Sequence, residues 1–350
     1  RKVDEMKFDF AIGNPPYQDN TIGENDTYAP PVYNKFMDAA YTVANKVELI
    51  HPARFLFNAG STPKAWNQKM LNDNHFKVME YEEDCSKVFS NTEIKGGIAI
   101  TYRDSEKDFG TIEIFTPYPE MNTILHKIRR YRDFSSMSEV VISSYSYHFK
   151  EQLYTDFPEL IGRLSKGHEL DFKSNVFEKM PEPFLKEIVD NRTAYLKILG
   201  RESNERIYRY IKKEYVRDDV CNLYTYKVFL PGATGNGDFG ETISMPIIGE
   251  PGTGSTETFL SIGILQNEKE ARNVIKYICS KFARAMFGIL KRTQANTPDK
   301  WKWVPLQDFT DQSDIDWSVS IANIDKQLYK KYGLSEEEIA FIETNVKEME

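Results

Sequence analysis

Apolar positions along the first 115 residues alternate between two spacings. Phe8-Asp9-Phe10-Ala11-Ile12-Gly13 is a short apolar run that reads as a buried strand. Residues 33–44 carry Phe36, Met37, Ala40 and Tyr41 at helical spacing. Lys46–Pro52 reads as a second buried strand, and Thr62–Asn72, with Trp66, Met70 and Leu71 on one side, as a helix. Phe76–Tyr81 and Gly96–Tyr102 are further strands, with a fifth expected at Thr111–Phe115. Strands separated by helices predict a largely parallel sheet covered on both faces. Such sheets bind ligands at the carboxyl ends of their strands.

Met121–Arg132 is expected to be a helix with a basic end. Beyond about residue 134 the pattern changes, and tyrosines and short apolar pieces are interleaved with polar loops to about 225. Residues 231–256, rich in Gly and Thr, predict loop or hairpin. Glu268–Leu290 predicts one long amphipathic helix with a stripe of Ala271, Val274, Ile275, Ile278, Phe282, Met286 and Leu290. A short helix follows at Ile321–Lys331. Ser335 and Glu338 form a capping box for a last helix over Glu336–Lys347. The expected domains are 1–115 and 116–350.

Composition narrows the class. With 40% hydrophobic and 13% aromatic residues, the 350-residue chain can fill two cores. No apolar run reaches the ~18 residues of a membrane span, and no signal segment is visible. Cys85, Cys221 and Cys279 are scattered, which suits a reducing cytoplasm. His51, His75, His126, His148 and His168 form no ligand cluster, so no metal site is expected. The chain begins Arg1-Lys2 rather than with methionine, and reads as a piece of a longer protein. A net charge of −8 argues mildly against nucleic-acid binding by bulk charge, but not against a locally basic face.

The candidate chemistry lies at Asn14-Pro15-Pro16-Tyr17, where the first strand ends. The exocyclic nitrogen of adenine is a weak nucleophile because its lone pair is delocalised into the ring. Two acceptors that take its amino protons localise that pair, and the Asn14 side-chain oxygen and Pro15 carbonyl can supply them. Proline fixes its own φ and holds the preceding residue extended, so the carbonyl points predictably. Tyr17 offers a stacking face, worth about 1–3 kcal/mol per base.

This motif resembles the catalytic motif of N6-adenine DNA methyltransferases of restriction–modification systems. Glu48-Leu49-Ile50-His51-Pro52-Ala53-Arg54-Phe55-Leu56 is similar to the family's strand-plus-PxRFL segment. Val88-Phe89 followed by Ile94-Lys95-Gly96-Gly97-Ile98-Ala99-Ile100 is similar to its later motif. There the aromatic packs on the flipped base, and Phe89 is the matching position. Arg54 reads as a salt-bridged or phosphate-facing arginine without catalytic duty. Val304–Phe309 and the Tyr329–Glu350 tail resemble the C-terminal part of large fused restriction–methylation enzymes.

The resemblance implies an α/β chain: the second half of a Rossmann-like methyltransferase sheet, followed by an α+β target-recognition domain. It implies S-adenosylmethionine as methyl donor and double-stranded DNA as substrate. The partners implied are an N-terminal methyltransferase half and a nuclease domain of the parent, although Pro181-Glu182 lacks the downstream nuclease pattern. The donor's Gly-rich turn normally precedes the catalytic motif. The one later candidate, Gly232–Gly240, is not followed by a helix-like segment. The fragment is therefore expected to be inactive alone.

Three basic runs are candidate DNA contacts. They are Lys127, Arg129, Arg130 and Arg132; Arg201, Arg206, Arg209, Lys212, Lys213 and Arg217 among tyrosines; and a third run around Trp301 and Trp303. The expected DNA-binding residues come from the third: Arg284, Lys291, Arg292, Gln294, Asn296, Lys300 and Lys302. A non-enzymatic DNA-specificity module, or methylation of RNA or a protein amide, is the alternative.

Overall fold

The computed structural model describes residues 8–19, 29–58, 60–89, 94, 96–190, 192–203, 205–291 and 293–349. Contacts divide the chain into two compact units, 1–119 and 120–350.

The first unit runs β1 (Phe8–Gly13), α1 (Tyr33–Val43), β2 (Ala44–Pro52), α2 (Lys64–Leu71), β3 (Phe76–Glu82) and β4 (Ile98–Asp104). The strands form one sheet in the order β1-β2-β4-β3. β1 and β2 are parallel, with Gly13 opposite Leu49. α1 is their crossover and passes straight into β2 at the extended Ala44. β4 is antiparallel to both β2 and β3. The expected largely parallel sheet is thus corrected to a mixed one. Among the described residues no α-helix crosses from β3 to β4, and β4 starts at the end where β3 stops, as an antiparallel return requires.

Two further expectations change. β1 is an edge strand, not a buried one: Phe8, Phe10 and Ile12 are 56, 62 and 79% exposed. Residues 111–115 form no strand. Glu113 takes a left-handed φ of 53°, and its N–H donates to the Leu71 carbonyl at 2.8 Å, which ties the segment to the end of α2 instead of to the sheet.

The core of this unit joins Tyr33 and Met37 of α1, Val47 and Leu49 of β2, Phe55, Trp66, Met70 and Phe76. His51 lies at its centre, fully buried. Its Nε2 is 2.7 Å from Thr101 Oγ1 and its Nδ1 is 3.1 Å from the Pro52 carbonyl. The ring stacks on Tyr33 at 5.8 Å.

The second unit opens with α3 (Pro119–Arg129), β5 (Val141–Ile142), α4 (Gln152–Asp156) and α5 (Val176–Lys179). It continues with β6 (Tyr195–Glu202), β7 (Glu205–Lys212), β8 (Tyr226–Pro231), β9 (Ile247–Gly249), β10 (Thr253–Ser255) and β11 (Phe259–Leu265). The helices α6 (Glu268–Cys279), α7 (Lys281–Gly288), α8 (Ile321–Lys331) and α9 (Glu336–Asn345) close the chain. The strands form two sheets, β10-β6-β7 and β5-β11-β8-β9. Lys227 of β8 is wholly buried and donates to the Leu223 and Thr253 carbonyls at 3.0 and 2.8 Å, pinning β8 to the turn before it and to β10.

The helix expected over Glu268–Leu290 is broken at Ser280. The Ser280 hydroxyl caps α7 by accepting from Ala283 N–H, and the buried Asp325 carboxylate of α8 accepts from Lys281 and Phe282 N–H. These oxygens satisfy donors that a continuous helix would have used internally. The capping box at Ser335 and Glu338 forms as expected, and Glu338 also binds Thr123 and Lys127 of α3. Among the described residues no helix is long and apolar enough to cross a membrane.

Burial holds the His51 imidazole down to a pKa of about 4. The unfolded chain therefore takes up a proton that the folded state rejects as pH falls from 6.5 toward 4. The stability associated with neutral His51 is complete above 6.5 and is lost through that window, by roughly 3 kcal/mol. His51→Gln keeps a partner for Thr101 and is expected to flatten this dependence, as read by hydrogen exchange in β2 and β4. Superimposable profiles for the two proteins would show that His51 is not held neutral.

Candidate functional site

The carboxyl ends of β1 and β2 lie on one edge of the first sheet, because the two strands are parallel and adjacent. β4 starts on that edge: Ile98 pairs with both Pro52 and Glu82. The same edge therefore collects Asn14–Tyr17, the Arg54–Phe57 turn, the Cys85–Phe89 segment and Gly96-Gly97.

The motif is held by its backbone. Val32 N–H donates to the Tyr17 carbonyl at 3.1 Å, Asp19 N–H to the Pro30 carbonyl at 2.9 Å, and Gln18 bridges to Pro31. These bonds lock the motif to the chain entering α1. Asn14 and Pro16 are exposed, and Pro15 and Tyr17 half-buried. The Pro15 carbonyl accepts no hydrogen bond among the described residues, so it is available to an incoming donor.

Tyr17 and Phe89 meet edge to face, with ring centres 6.5 Å apart and planes at 69°. Phe89 is fixed by its N–H to the Cys85 carbonyl at 2.8 Å, and the Cys85 sulfur accepts from Ile94 N–H at 3.0 Å. Cys85 thus staples both ends of the loop that carries Phe89, a role its isolation in the sequence did not signal. Burial raises the Tyr17 phenol, and the nearby Asn14 side chain offsets part of that. The hydroxyl is enclosed without a well-aligned hydrogen bond. Tyr17 therefore works as a neutral ring.

The proposed DNA residues of the third basic run divide sharply. Arg284 is buried and gives its guanidinium to the carbonyls of Cys279, Glu241 and Lys347. Lys291 is buried, ion-paired with Glu241 and bonded to the Thr234 carbonyl at 2.8 Å. Asn296 is buried, its amide donating to the Pro231 carbonyl and Thr234 hydroxyl at 2.8 and 3.2 Å. These three are corrected to structural residues: polar groups removed from water need partners, and Pro231, the loop after β8 and, for Arg284, the Cys279 and Lys347 carbonyls supply them. Burial works to raise the Glu241 carboxyl, but Lys291 and the N–H groups of Asn236 and Gly237 hold it below the usual carboxylate range. Trp301 and Trp303 are core residues too.

Gln294 remains exposed, as does Lys302, whose ammonium lies 4.6 Å from the Trp303 ring centre. Lys300 is half-buried and pairs with Asp299 at 2.9 Å. Arg292 lies outside the described residues. A cavity of about 590 Å³ in the same unit is lined by Tyr145, Asn175, Arg201, Ser203, Ala295 and Thr297, among others.

Gly232–Gly240 does not fit a methyl-donor turn. It leads through an irregular segment into β9, opens no helix, and is tied to Glu241 and to Lys347, whose N–H donates to the Gly240 carbonyl at 3.0 Å. Among the described residues no group of three or more His, Cys, Asp or Glu side chains is placed to hold a metal ion.

Residues 2–89 match the sequence model of a family described as Eco57I restriction-modification methylase. An uncharacterized adenine-specific methylase of Mycoplasma pneumoniae is 33% identical over 95 residues. That alignment covers 27% of this chain and 22% of the relative, so the chain spans about a fifth of the relative's length. The crystal structure of the type IIG restriction endonuclease BpuSI aligns over 90% of this chain and 49% of that one, at 10% identity and a TM-score of 0.32, too slight a likeness to support any inference. The first unit is thus similar in sequence to restriction–modification adenine methylases, and the fold around its motif is mixed α/β.

Lys291→Ala is expected to cost about 3–5 kcal/mol in chemical denaturation, because it strands the Glu241 carboxylate in the interior. Lys302→Ala should change stability by under ~0.5 kcal/mol. Equally small losses for both would return Lys291 to the surface.

Proposed function

We propose that this chain is part of a DNA adenine-N6 methyltransferase of a restriction–modification enzyme. The parent would move a methyl group from S-adenosylmethionine to an adenine flipped out of the duplex. The observation that carries this reading is the motif Asn14–Tyr17 at a strand's carboxyl end, facing Phe89, inside the segment that matches methylase sequences. Asn14 Oδ1 and the Pro15 carbonyl take the two amino protons, and the edge-to-face pair Tyr17 and Phe89 offers apolar surface to the base. The adenine specificity named for the Mycoplasma relative favours a nucleobase over a protein amide.

The donor-binding residues belong to another part of the parent in this reading. The free edge and apolar face of β1 support it. Among the described residues β1 pairs only with β2, and Phe8, Phe10 and Ile12 stand in solvent on alternate positions. A parallel sheet is ordinarily covered on both faces. The second unit would supply target recognition, with Gln294, Lys302 and the cavity beside Arg201 and Thr297 as its candidate DNA face, and a nuclease would be a further partner. The three cysteines are free, which suits the cytoplasm.

In the full-length enzyme, Asn14→Ala should abolish adenine methylation and leave duplex affinity within about twofold. Retained methylation would sink the assignment of Asn14. Ile12→Lys should leave the stability of this chain within ~0.5 kcal/mol, because the side chain is already in water. It should prevent association with the separately produced preceding part of the parent, measured by co-purification. Unimpaired association would mean that β1 is not the joining edge.

A further inference from the structure

Arg54 is not absorbed by the site as described. Its neighbours in the chain are committed to the core: Ala53, Phe55 and Leu56 are all buried. Arg54 itself is exposed, and its guanidinium makes no ion pair or hydrogen bond among the described residues. That is unlike Arg103, Arg163, Arg209, Arg217 and Arg272, each of which pairs with a carboxylate.

The stem of Arg54 is nevertheless enclosed. A Cβ at Gly96 would fall 2.6 Å from Arg54 Cγ, and a Cβ at Gly60 would fall 3.2 Å from Arg54 Cβ. Both glycines have left-handed backbones, with φ of 88° and 83°. Two loops therefore give up side chains and adopt glycine-only conformations beside one arginine stem. The result is a positioned cation whose head has no ion pair or hydrogen bond among the described residues. A solvated surface arginine needs no such channel, and its side-chain entropy would oppose one.

Position supplies the ligand. Arg54 follows the carboxyl end of β2 and Asn14 follows that of β1, its parallel neighbour. Strand spacing and rise put the two on the order of 10 Å apart along the same edge. A guanidinium presents a rigid fork of donors that matches phosphate oxygens two at a time.

We infer that Arg54 binds a DNA backbone phosphate adjoining the adenine that enters the Asn14–Tyr17 cup. Anchored there, the phosphate would fix the strand while the base rotates out, so Arg54 is a positioning residue. The inference rests on the functional reading above and adds to it the contact that holds the flipped nucleotide's backbone.

The test measures binding of the chain to a duplex carrying an unpaired adenine, by fluorescence anisotropy across a salt series. Arg54→Gln is the informative variant, because it keeps the stem between the two glycines and removes only the charge. It should bind about tenfold more weakly at low salt and lower the slope of log K against log salt by about 0.9, the contribution of one phosphate. Replacing the phosphates flanking the adenine one at a time by neutral methylphosphonates should weaken the native chain at one position and leave Arg54→Gln unaffected there. Arg54→Lys should recover the slope but only part of the affinity. An unchanged slope, with equal methylphosphonate sensitivity in native and Arg54→Gln proteins, overturns the inference alone. A native chain that binds no duplex sinks both it and the functional reading.

Discussion

The parallel pairing of β1 with β2 is the constraint on which the first unit depends. It sends two strands to the same edge of the sheet, so the motif after β1 and the turn after β2 become neighbours although 40 residues separate Asn14 from Arg54. β4 then pairs with β2 along seven residues in the opposite sense, and brings the loop ahead of it to that edge as well. A register shift of one residue in either pairing would turn the buried Val47 and Leu49 outward. The core therefore fixes the register, and the register fixes the site. His51 shows how closely the two are linked: it holds the inner sheet together through Thr101 only a few residues before Arg54.

In the second unit the corresponding constraint is electrostatic. Glu241, Lys291 and Arg284 lie in one buried cluster that ties the loop after β8 to α7 and to the C-terminal tail. Each charge is tolerable only because the others and several carbonyls surround it. Such clusters fix one arrangement more than they add net stability, since desolvation cancels much of the Coulomb gain. The glycine-rich stretch reads as a loop in sequence, and in the fold that loop is tied down through Glu241 and the Gly240 carbonyl.

Local signals were legible and non-local ones were not. Hydrophobic spacing located β2, β3, β4, α1 and α2, and the Ser335 capping box marked the start of α9, because those signals lie within a few residues of one another. The exposure of β1 depends on what stands beside it, which no apolar run encodes. The break at Ser280 depends on Asp325, 45 positions away, reaching back to cap α7. Charge was the least legible property. A basic run next to tryptophans looks the same whether its heads face DNA or, as for Lys291 and Arg284, face the interior. At the motif, the end of β1 at Gly13 was legible because the end of a strand is a local matter. The close packing around the Arg54 stem was not, since it depends on Gly60 and Gly96.

This distribution of charge bears on how an acidic chain would hold DNA in the proposed reading. Its 45 Lys and Arg residues give a misleading count, because many of the described ones are matched by a carboxylate or enclosed by carbonyls. A matched cation contributes little to counterion release, since its partner already neutralises it. Affinity for phosphate must then come from a small number of unpaired heads placed where the strand runs. Non-specific attraction is correspondingly weak, and a net charge of −8 reduces it further, most of all at low ionic strength where screening is least. In the proposed reading, such a protein would gain by holding the few phosphates beside the reacting base in fixed geometry, where each contact would also position the nucleotide. In that reading, an arginine whose stem lies against two glycines, on the same sheet edge as the motif, would be a contact of the kind that such an economy of charge requires.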